Sequence, residues 1–341
     1  MDGIRYEFDA RPADGETMSV AEGISWLRMP LPMALNHINL WLLRDDRGWV
    51  IVDTGIDTRT TRDLWQQVFV DSMDNDPATH VVATHLHPDH VGCANWLVDR
   101  FGVDLWMTRE EYLLCCVLVN DTGMAAPEEG VYFYKAAGFT ADQLAAYRAN
   151  FGMFGKFVKG MPRAYRRMQD GEQLVFAGHA WEVVTGCGHS PEHACLYDPA
   201  RNILISGDQV LPTISPNVSV WPTEPMADPL KDFFMSIDKL ERKLPDDVLV
   251  LPAHGKPFRG ARVRLEQLRK EHEDKLAVLL ENSDEPRRVV DVFPDLFGAA
   301  INDGNRIMAT GEALAHLHYL CNTGDLTADR DENGVDWFRR A

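Results

Sequence analysis

Short apolar runs with a two-residue alternation open the chain. ISWLRMP (24–30), NHINLWLLRDD (36–46) and GWVIVDTG (48–55) each read as strands, and the turn sequence DDRG joins the last two into a hairpin. HVVATHL (80–86) is a compact β-branched run suited to a buried strand, and DHVGCANWLVDRFG behind it has helical spacing with Gly102 as its stop. From Thr108 to about Arg167 the pattern turns helical, in TREEYLLCCVLVN and TADQLAAYRANFGMFGKFVKGMP. Strands resume with QLVFAGHAWEVVTG, HACLYDP, NILISGD and VLVLPAHGKPF. The chain then becomes helical again and ends in TADRDENGVDWFRR, a hairpin turning at Asn333-Gly334. Strands at both ends with helices interleaved predict an α/β layered body over residues 1–258 with a helical insertion over about 108–167. Residues 259–341 form a small C-terminal module.

Composition narrows the classes. At 341 residues and 45% hydrophobic, the chain can bury a full core. No apolar run approaches the roughly 20 residues needed to span a bilayer, and the charged start MDGIRYEFDARPADGE has no apolar signal region. The six cysteines follow neither metal-finger nor disulfide-framework spacing, so reduced thiols and a cytoplasmic location are expected. Acidic residues outnumber basic ones 52 to 34, for a net charge of -18, which argues against a nucleic-acid partner.

His-Leu-His occurs twice, in ATHLHPDHVG (83–92) and in LAHLHYLC (314–321). In an extended strand residues i and i+2 share a side, so His85 and His87 project together from a strand end. Pro88 favours a turn or a first helical position, and Asp89 and His90 follow on the next bend. In the second stretch Leu314, Leu317 and Leu320 are spaced as on a helix, so His316 and His318 diverge and are expected to pack or face solvent. Further ligand types sit at the ends of later strands: His189 in GCGHSPEH, Asp208 in LISGDQV and His254 in VLVLPAHG. A lone histidine after a strand is usually structural, but three such ends added to the first cluster outline a metal pocket at a sheet rim.

With these residues in view the chain resembles the metallo-β-lactamase superfamily of hydrolases over roughly residues 20 to 258. His85, His87, Asp89 and His90 match its H-x-H-x-D-H motif, and His189, Asp208 and His254 match its later ligand positions in order. Asp53 in VDTG matches the acidic residue of its first motif, which acts on the ligands from behind, and His193 matches a position that hydrogen-bonds there without binding metal. The resemblance, nearest to glyoxalase-II-like and lactamase-β-like members, implies an αββα sandwich with two divalent ions at one edge. It assigns His85, His87 and His189 to one ion, Asp89, His90 and His254 to the other, and Asp208 as the bridge. Imidazole and carboxylate ligands suit Zn²⁺ and leave room for Mn²⁺ or Fe²⁺. Asp89 is expected either to serve as a ligand alone or also to orient the attacking water or accept its proton. ATGEALAHLHYL and the closing hairpin resemble the winged-helix-like tail of some members. Cys187, in the turn before His189, is expected to pack and not to ligate.

The implied reaction is attack of metal-bound hydroxide on a small-molecule ester, thioester or lactone. A metal-dependent endoribonuclease is the alternative, since some members with such tails cut RNA. The basic stretch GKPFRGARVRLEQLRK (255–270) is expected to hold an anionic substrate group, and FGMFGKFVKGM (151–161) to form part of the pocket wall or to pack on the body or on a second subunit of a homo-oligomer. His37 is expected near the pocket mouth, while His80, His179 and His272 default to structural roles.

Overall fold

The computed structural model describes residues 3–33, 35–298 and 301–341. Its strands, in chain order, are β1 (Arg5–Tyr6), β2 (Thr17–Ala21), β3 (Ile24–Pro30), β4 (His37–Asp45), β5 (Gly48–Val52), β6 (Ala78–Val82), β7 (Leu105–Met107), β8 (Tyr165–Arg167), β9 (Gln173–Phe176), β10 (His179–Gly186), β11 (His193–Asp198), β12 (Ile203–Gly207), β13 (Leu249–Pro252), β14 (Phe258–Arg259), β15 (Leu326–Arg330) and β16 (Asp336–Arg340). The strands β2 to β8 form one seven-stranded sheet in sequence order, and β1-β14-β13-β12-β11-β10-β9 form a second. The helices are α1 (Arg59–Asp71), α2 (Pro88–Val91), α3 (Ala94–Phe101), α4 (Arg109–Asn120), α5 (Glu128–Ala136), α6 (Ala141–Asn150), α7 (Pro229–Lys243), α8 (Ala261–Glu281), α9 (Phe293–Leu296) and α10 (Arg306–Thr323).

Alternation along the strands explains why four layers form. In β5, Val50 and Val52 enter the core between the sheets with Trp26, Trp41, Trp181 and Leu196. Its other face sends Trp49 and Ile51 to an outer core with Trp65 and Val68 of α1 and Leu97 of α3. The strand β13 repeats the device: Leu249 and Leu251 face inward, while Val250 packs outward with Phe233 and Ile237 of α7 and Leu265 and Leu268 of α8. Both faces of these central strands are covered, which is why they read as nearly continuous apolar runs. The result is an αββα sandwich.

The helical insertion comprises α4, α5 and α6, between β7 and β8. The helices α1 and α7 have no counterpart in the sequence reading, although both carry capping side chains: Thr58 accepts the Thr61 N–H, and Asp228, before Pro229, accepts the Lys231 N–H. The C-terminal hairpin β15–β16 turns through 331–335, with Gly334 at φ 80°. Leu314, Leu317, Leu326 and Phe338 of this tail join the same apolar cluster as α7 and α8, so the tail is packed onto the outer face of the second sheet. Among the described residues no helix is long and apolar enough to cross a membrane.

Candidate metal centre

The seven ligand-type residues meet at one edge of the sandwich, drawn from both sheets. Nε2 of His85 lies 2.9 Å from Nδ1 of His87 and 3.3 Å from Nε2 of His189. Oδ2 of Asp208 is 4.0 Å from the His85 nitrogen and 3.4 Å from that of His189. On the other side, Oδ2 of Asp89 is 3.4 Å from Nε2 of His254 and 3.7 Å from Nε2 of His90. Oδ1 of Asp208 is 3.5 Å from the His90 nitrogen and 3.4 Å from that of His254. The four groups of the first set and the three of the second each offer ligand atoms within 4.8 Å of one another. A tetrahedral ion with bonds of about 2.0–2.1 Å needs its ligand atoms about 3.3 Å apart. The spacing fits, and Asp208 presents one oxygen to each set.

Local conformation produces this convergence, in a way that differs from the sequence expectation. The strand β6 ends at Val82, and His85 and His87 follow on a bend, so strand alternation is not what aligns them. The bend is held by Asp53, which accepts the Thr84 N–H at 2.8 Å and the Thr84 hydroxyl at 2.9 Å. Asp53 adopts φ 61°, a left-handed conformation that aspartate tolerates better than most side chains. As expected, Pro88 opens a helix, with His87 at its N-cap.

Behind the ligand atoms a ring of acceptors fixes the imidazoles. Nδ1 of His90 pairs with Asp53 Oδ2 at 2.8 Å, Nδ1 of His189 donates to the Asn217 carbonyl at 2.8 Å, and Nδ1 of His254 donates to the His37 carbonyl at 2.7 Å. A carbonyl only accepts, so the proton of His189 and of His254 sits on Nδ1 and Nε2 turns its lone pair into the cluster. The His193 Nε2 accepts the Asp208 N–H at 3.1 Å, so this ring steers the bridging segment from behind. The Asn39 amide donates to the carbonyls of Pro252 and Gly255 and pins the turn that carries His254.

Electrostatics asks for a cation here. Burial holds the His85 imidazole well below its ordinary pKa and pushes His87 down to about 3, which leaves both neutral and able to ligate. Burial also opposes charge on His90, but Asp53, Asp208 and Asp89 outweigh it and raise its pKa well above the usual range. His90 Nε2 and Asp208 Oδ1 are buried and make no hydrogen bond. Buried polar atoms are normally satisfied, and a divalent ion between them answers this pair. Both sets contain the residue types and spacing to hold a divalent ion each.

One supporting residue escaped the sequence reading. Glu111 of α4 is fully buried and accepts the Leu86 N–H at 2.9 Å, the Ser190 hydroxyl at 2.6 Å and the Glu192 N–H at 2.8 Å. It therefore ties the His85–His87 turn to the turn after His189. Burial pushes its carboxyl up to about 7 against the pull of those three bonds. Its trace in the sequence is a carboxylate sharing the buried face of an apolar helix with Tyr112 and Cys115.

Other expectations resolve one by one. His37 does flank the site: its ring Nε2 accepts the Gly255 N–H at 3.1 Å, beside the His254 ring. Cys187 is half-buried with its thiol pushed up to about 11 by burial, and it belongs to neither ligand set. His316 and His318 diverge, His316 towards His272 and His318 towards the Ala227 carbonyl. Phe154, Phe157 and Met161 pack into the outer core beside the first sheet. The basic stretch 255–270 is engaged within the protein. Lys256 donates to the Phe8 and Asp9 carbonyls, Arg259 pairs with Glu7, and Arg262 pairs with Asp246. Arg264 is buried against the Leu211 and Ile214 carbonyls and Glu271, Arg269 meets Asp238, and Lys270 meets Asp274. Each cation there has a protein acceptor, with the Arg262 and Lys270 pairs on the exposed surface.

A two-sheet sandwich carrying paired histidine–aspartate ion sites at its rim defines a metal-dependent hydrolase. Residues 34–254 match the metallo-beta-lactamase superfamily, and residues 276–341 match the metallo-beta-lactamase-like C-terminal domain. The chain belongs to the metallo-beta-lactamase superfamily. It is similar to a beta-lactamase domain protein from Burkholderia ambifaria, at 40% identity and TM-score 0.91 over 99% of this chain and 98% of that one. It is 23% identical to the probable metallo-hydrolase YqjP of Bacillus subtilis (strain 168), over 88% of this chain and 92% of the relative. It is also 25% identical to the acyl-coenzyme A thioesterase MBLAC2 of Bos taurus, over 56% of this chain and 65% of the relative.

Proposed function

We propose that the chain hydrolyses a small-molecule ester, lactone or, foremost, thioester, with two zinc ions as its resident cofactors. The observation that carries this reading is Asp208, whose two oxygens face one ligand set each with Oδ1 otherwise unsatisfied. In this reading His85, His87 and His189 hold one ion, Asp89, His90 and His254 the other, and Asp208 both. Ions so held supply a nucleophilic water near neutral pH and an electrophilic pull on the substrate oxygen.

The chain's own residues do the rest. Among the ligand groups, His87 and Asp89 are partly exposed while His85 and His90 are fully buried, so substrate approaches over His87 and Asp89. Asp89 lies on that open side, where its carboxylate can orient the attacking water and take its proton. Asp53, His193 and the Asn217 and His37 carbonyls keep the ligands aimed, so little rearrangement accompanies the reaction.

Two observations favour small substrates over RNA. The arginines of the C-terminal hairpin are paired, Arg330 with Asp336, Arg339 with Asp329 and Arg340 with Asp284. The stretch after His254 is paired as well, so neither region presents the free cations that grip phosphates. The likeness to an acyl-coenzyme A thioesterase is the reason thioesters come first in this reading, and the paired basic stretch favours recognition through the acyl group. The test is a panel of p-nitrophenyl esters, lactones, coenzyme A and N-acetylcysteamine thioesters, phosphodiesters and single-stranded RNA, with protein reconstituted with Zn²⁺, Mn²⁺ or Fe²⁺. Turnover of both thioesters, lost in Asp89→Ala, is expected. RNA cleavage lost in Asp89→Ala, with the ester and thioester panel silent, would replace this reading by an endoribonuclease.

A further inference from the structure

His189 is aimed by the Asn217 carbonyl, and Asn217 belongs to no strand or helix. Residues 209–228, which follow Asp208, run without regular structure and are fixed from outside the sandwich by α8, whose Arg264 donates to the Leu211 and Ile214 carbonyls, and by α10. The Asn217 amide donates to Glu312 Oε2 at 3.0 Å, and the Ser219 hydroxyl donates to Asn217 Oδ1 at 2.5 Å. Glu312 is held in turn by Lys275 of α8 at 2.7 Å. The Val220 N–H donates to the Gly311 carbonyl at 3.0 Å.

A second tie reaches the same segment two residues earlier. Nδ1 of His316 donates to the Glu312 carbonyl at 2.7 Å, which leaves its Nε2 to accept from His272 Nδ1 at 3.1 Å. His272 Nε2 then accepts the Ser215 hydroxyl at 3.1 Å. Both rings are buried, and each nitrogen has one partner, so the donor order is fixed from end to end. Gly311 lets the helix come this close: a Cβ there would stand 2.7 Å from the Ser219 Cβ and 2.9 Å from the Val220 oxygen.

We propose that Glu312, through Asn217, positions His189, so that a helix of the C-terminal domain sets the metal affinity of the three-histidine set. The proposal rests on His189 being a metal ligand. Glu312 touches neither metal nor substrate; it is a positioning residue. Loss of groups that orient a metal-binding histidine lowers metal affinity about 10- to 100-fold, and one step further back the lower figure applies.

The experiment is a chelator-competition titration with zinc on the full-length chain, which yields a constant for each of the two ions. Glu312→Ala is expected to weaken one constant about tenfold and to leave the other within about twofold, with Glu312→Gln recovering most of the loss because its amide oxygen can still accept from Asn217. Gly311→Ala raises helix propensity yet pushes α10 off the segment, so it should weaken the same constant. In a His189→Ala background neither substitution should add to the loss. Unchanged constants in both variants would overturn the proposal, as would equal weakening of both constants that persists in the His189→Ala background. If His189→Ala alone left both constants unchanged, the ligand reading of His189 would fail first and take the proposal with it.

Discussion

Removing the Glu111 carboxylate is the sharpest perturbation of the site that leaves every proposed ligand in place. In Glu111→Ala three donors lose their acceptor at once. The Ser190 hydroxyl can turn elsewhere, but the N–H groups of Leu86 and Glu192 are fixed by the backbone. A buried donor left without a partner costs about 1–3 kcal/mol, and Leu86 is almost fully buried while Glu192 is less so. The two together should destabilise the fold by about 2–4 kcal/mol, lowering the melting temperature by about 3–6 °C for a chain of this size. The turns carrying His85, His87 and His189 lose their shared tie, so zinc affinity should fall about 10-fold or more. Glu111→Gln keeps one acceptor oxygen and sets an NH₂ against the remaining donor, so about half of each effect should remain. Thermal unfolding and zinc competition in one buffer read both quantities. Parental stability and affinity in Glu111→Ala would refute the claim that this carboxylate ties the two turns together. Full parental behaviour of Glu111→Gln would refute the need for two acceptor oxygens.

Three further outcomes follow from the same geometry. Asp208→Ala should drop zinc content from about two ions per chain to below one, because each ligand set loses an oxygen; elemental analysis after reconstitution reads this. Asp53→Ala should weaken zinc binding about 10- to 100-fold, through loss of the His90 acceptor and of the bonds that hold the Thr84 bend; chelator competition checks it. Burial, with the neighbouring His316 adding to it, holds His272 down to about 2, and burial holds His316 down to about 4. Both are neutral when folded and charge at about 6.5 when unfolded, so the stability they contribute is present above that value and is lost as pH falls. Metal-free protein should lose about 3 kcal/mol through this pair between pH 6.5 and pH 5, and His316→Gln should remove about half of that slope in pH-dependent melting.

Much of the site was legible because its residues announce themselves by chemistry. Histidines and aspartates at the ends of apolar runs are costly to place there without a purpose, and His85, His87, Asp89, His90, His189, Asp208 and His254 all meet in the structure. The strands β3 to β6 and β10 to β13 were legible because burial on both faces demands continuous apolar residues. The short strands β7 and β8 were not, since three residues carry no period. The supports were harder. Asn217 acts through its carbonyl, which every residue has, so no side-chain pattern marks it. Glu111 was visible only as a charge on a buried helix face. The partnership of His272 and His316 spans two helices and 44 positions of sequence. The pairing within the basic stretch was hidden for a related reason: charges can be counted from sequence, but their partners cannot.

The seven proposed ligands come from both halves of the sandwich, with His85, His87, Asp89 and His90 beside the first sheet and His189, Asp208 and His254 beside the second. Ions held there would act as fasteners as well as reagents. An ion joining His85 to His189 closes a loop of 104 residues, and a covalent bridge across about 100 residues restricts an unfolded chain by about 4.7 kcal/mol in the chain-entropy model. Neither set would be complete before both halves have docked, so metal loading would report completed assembly. Chelation should then leave a chain whose two sheets can part at the rim, with exchange of amide hydrogen fastest at the bends around Thr84 and Gly207 and slowest in the central strands.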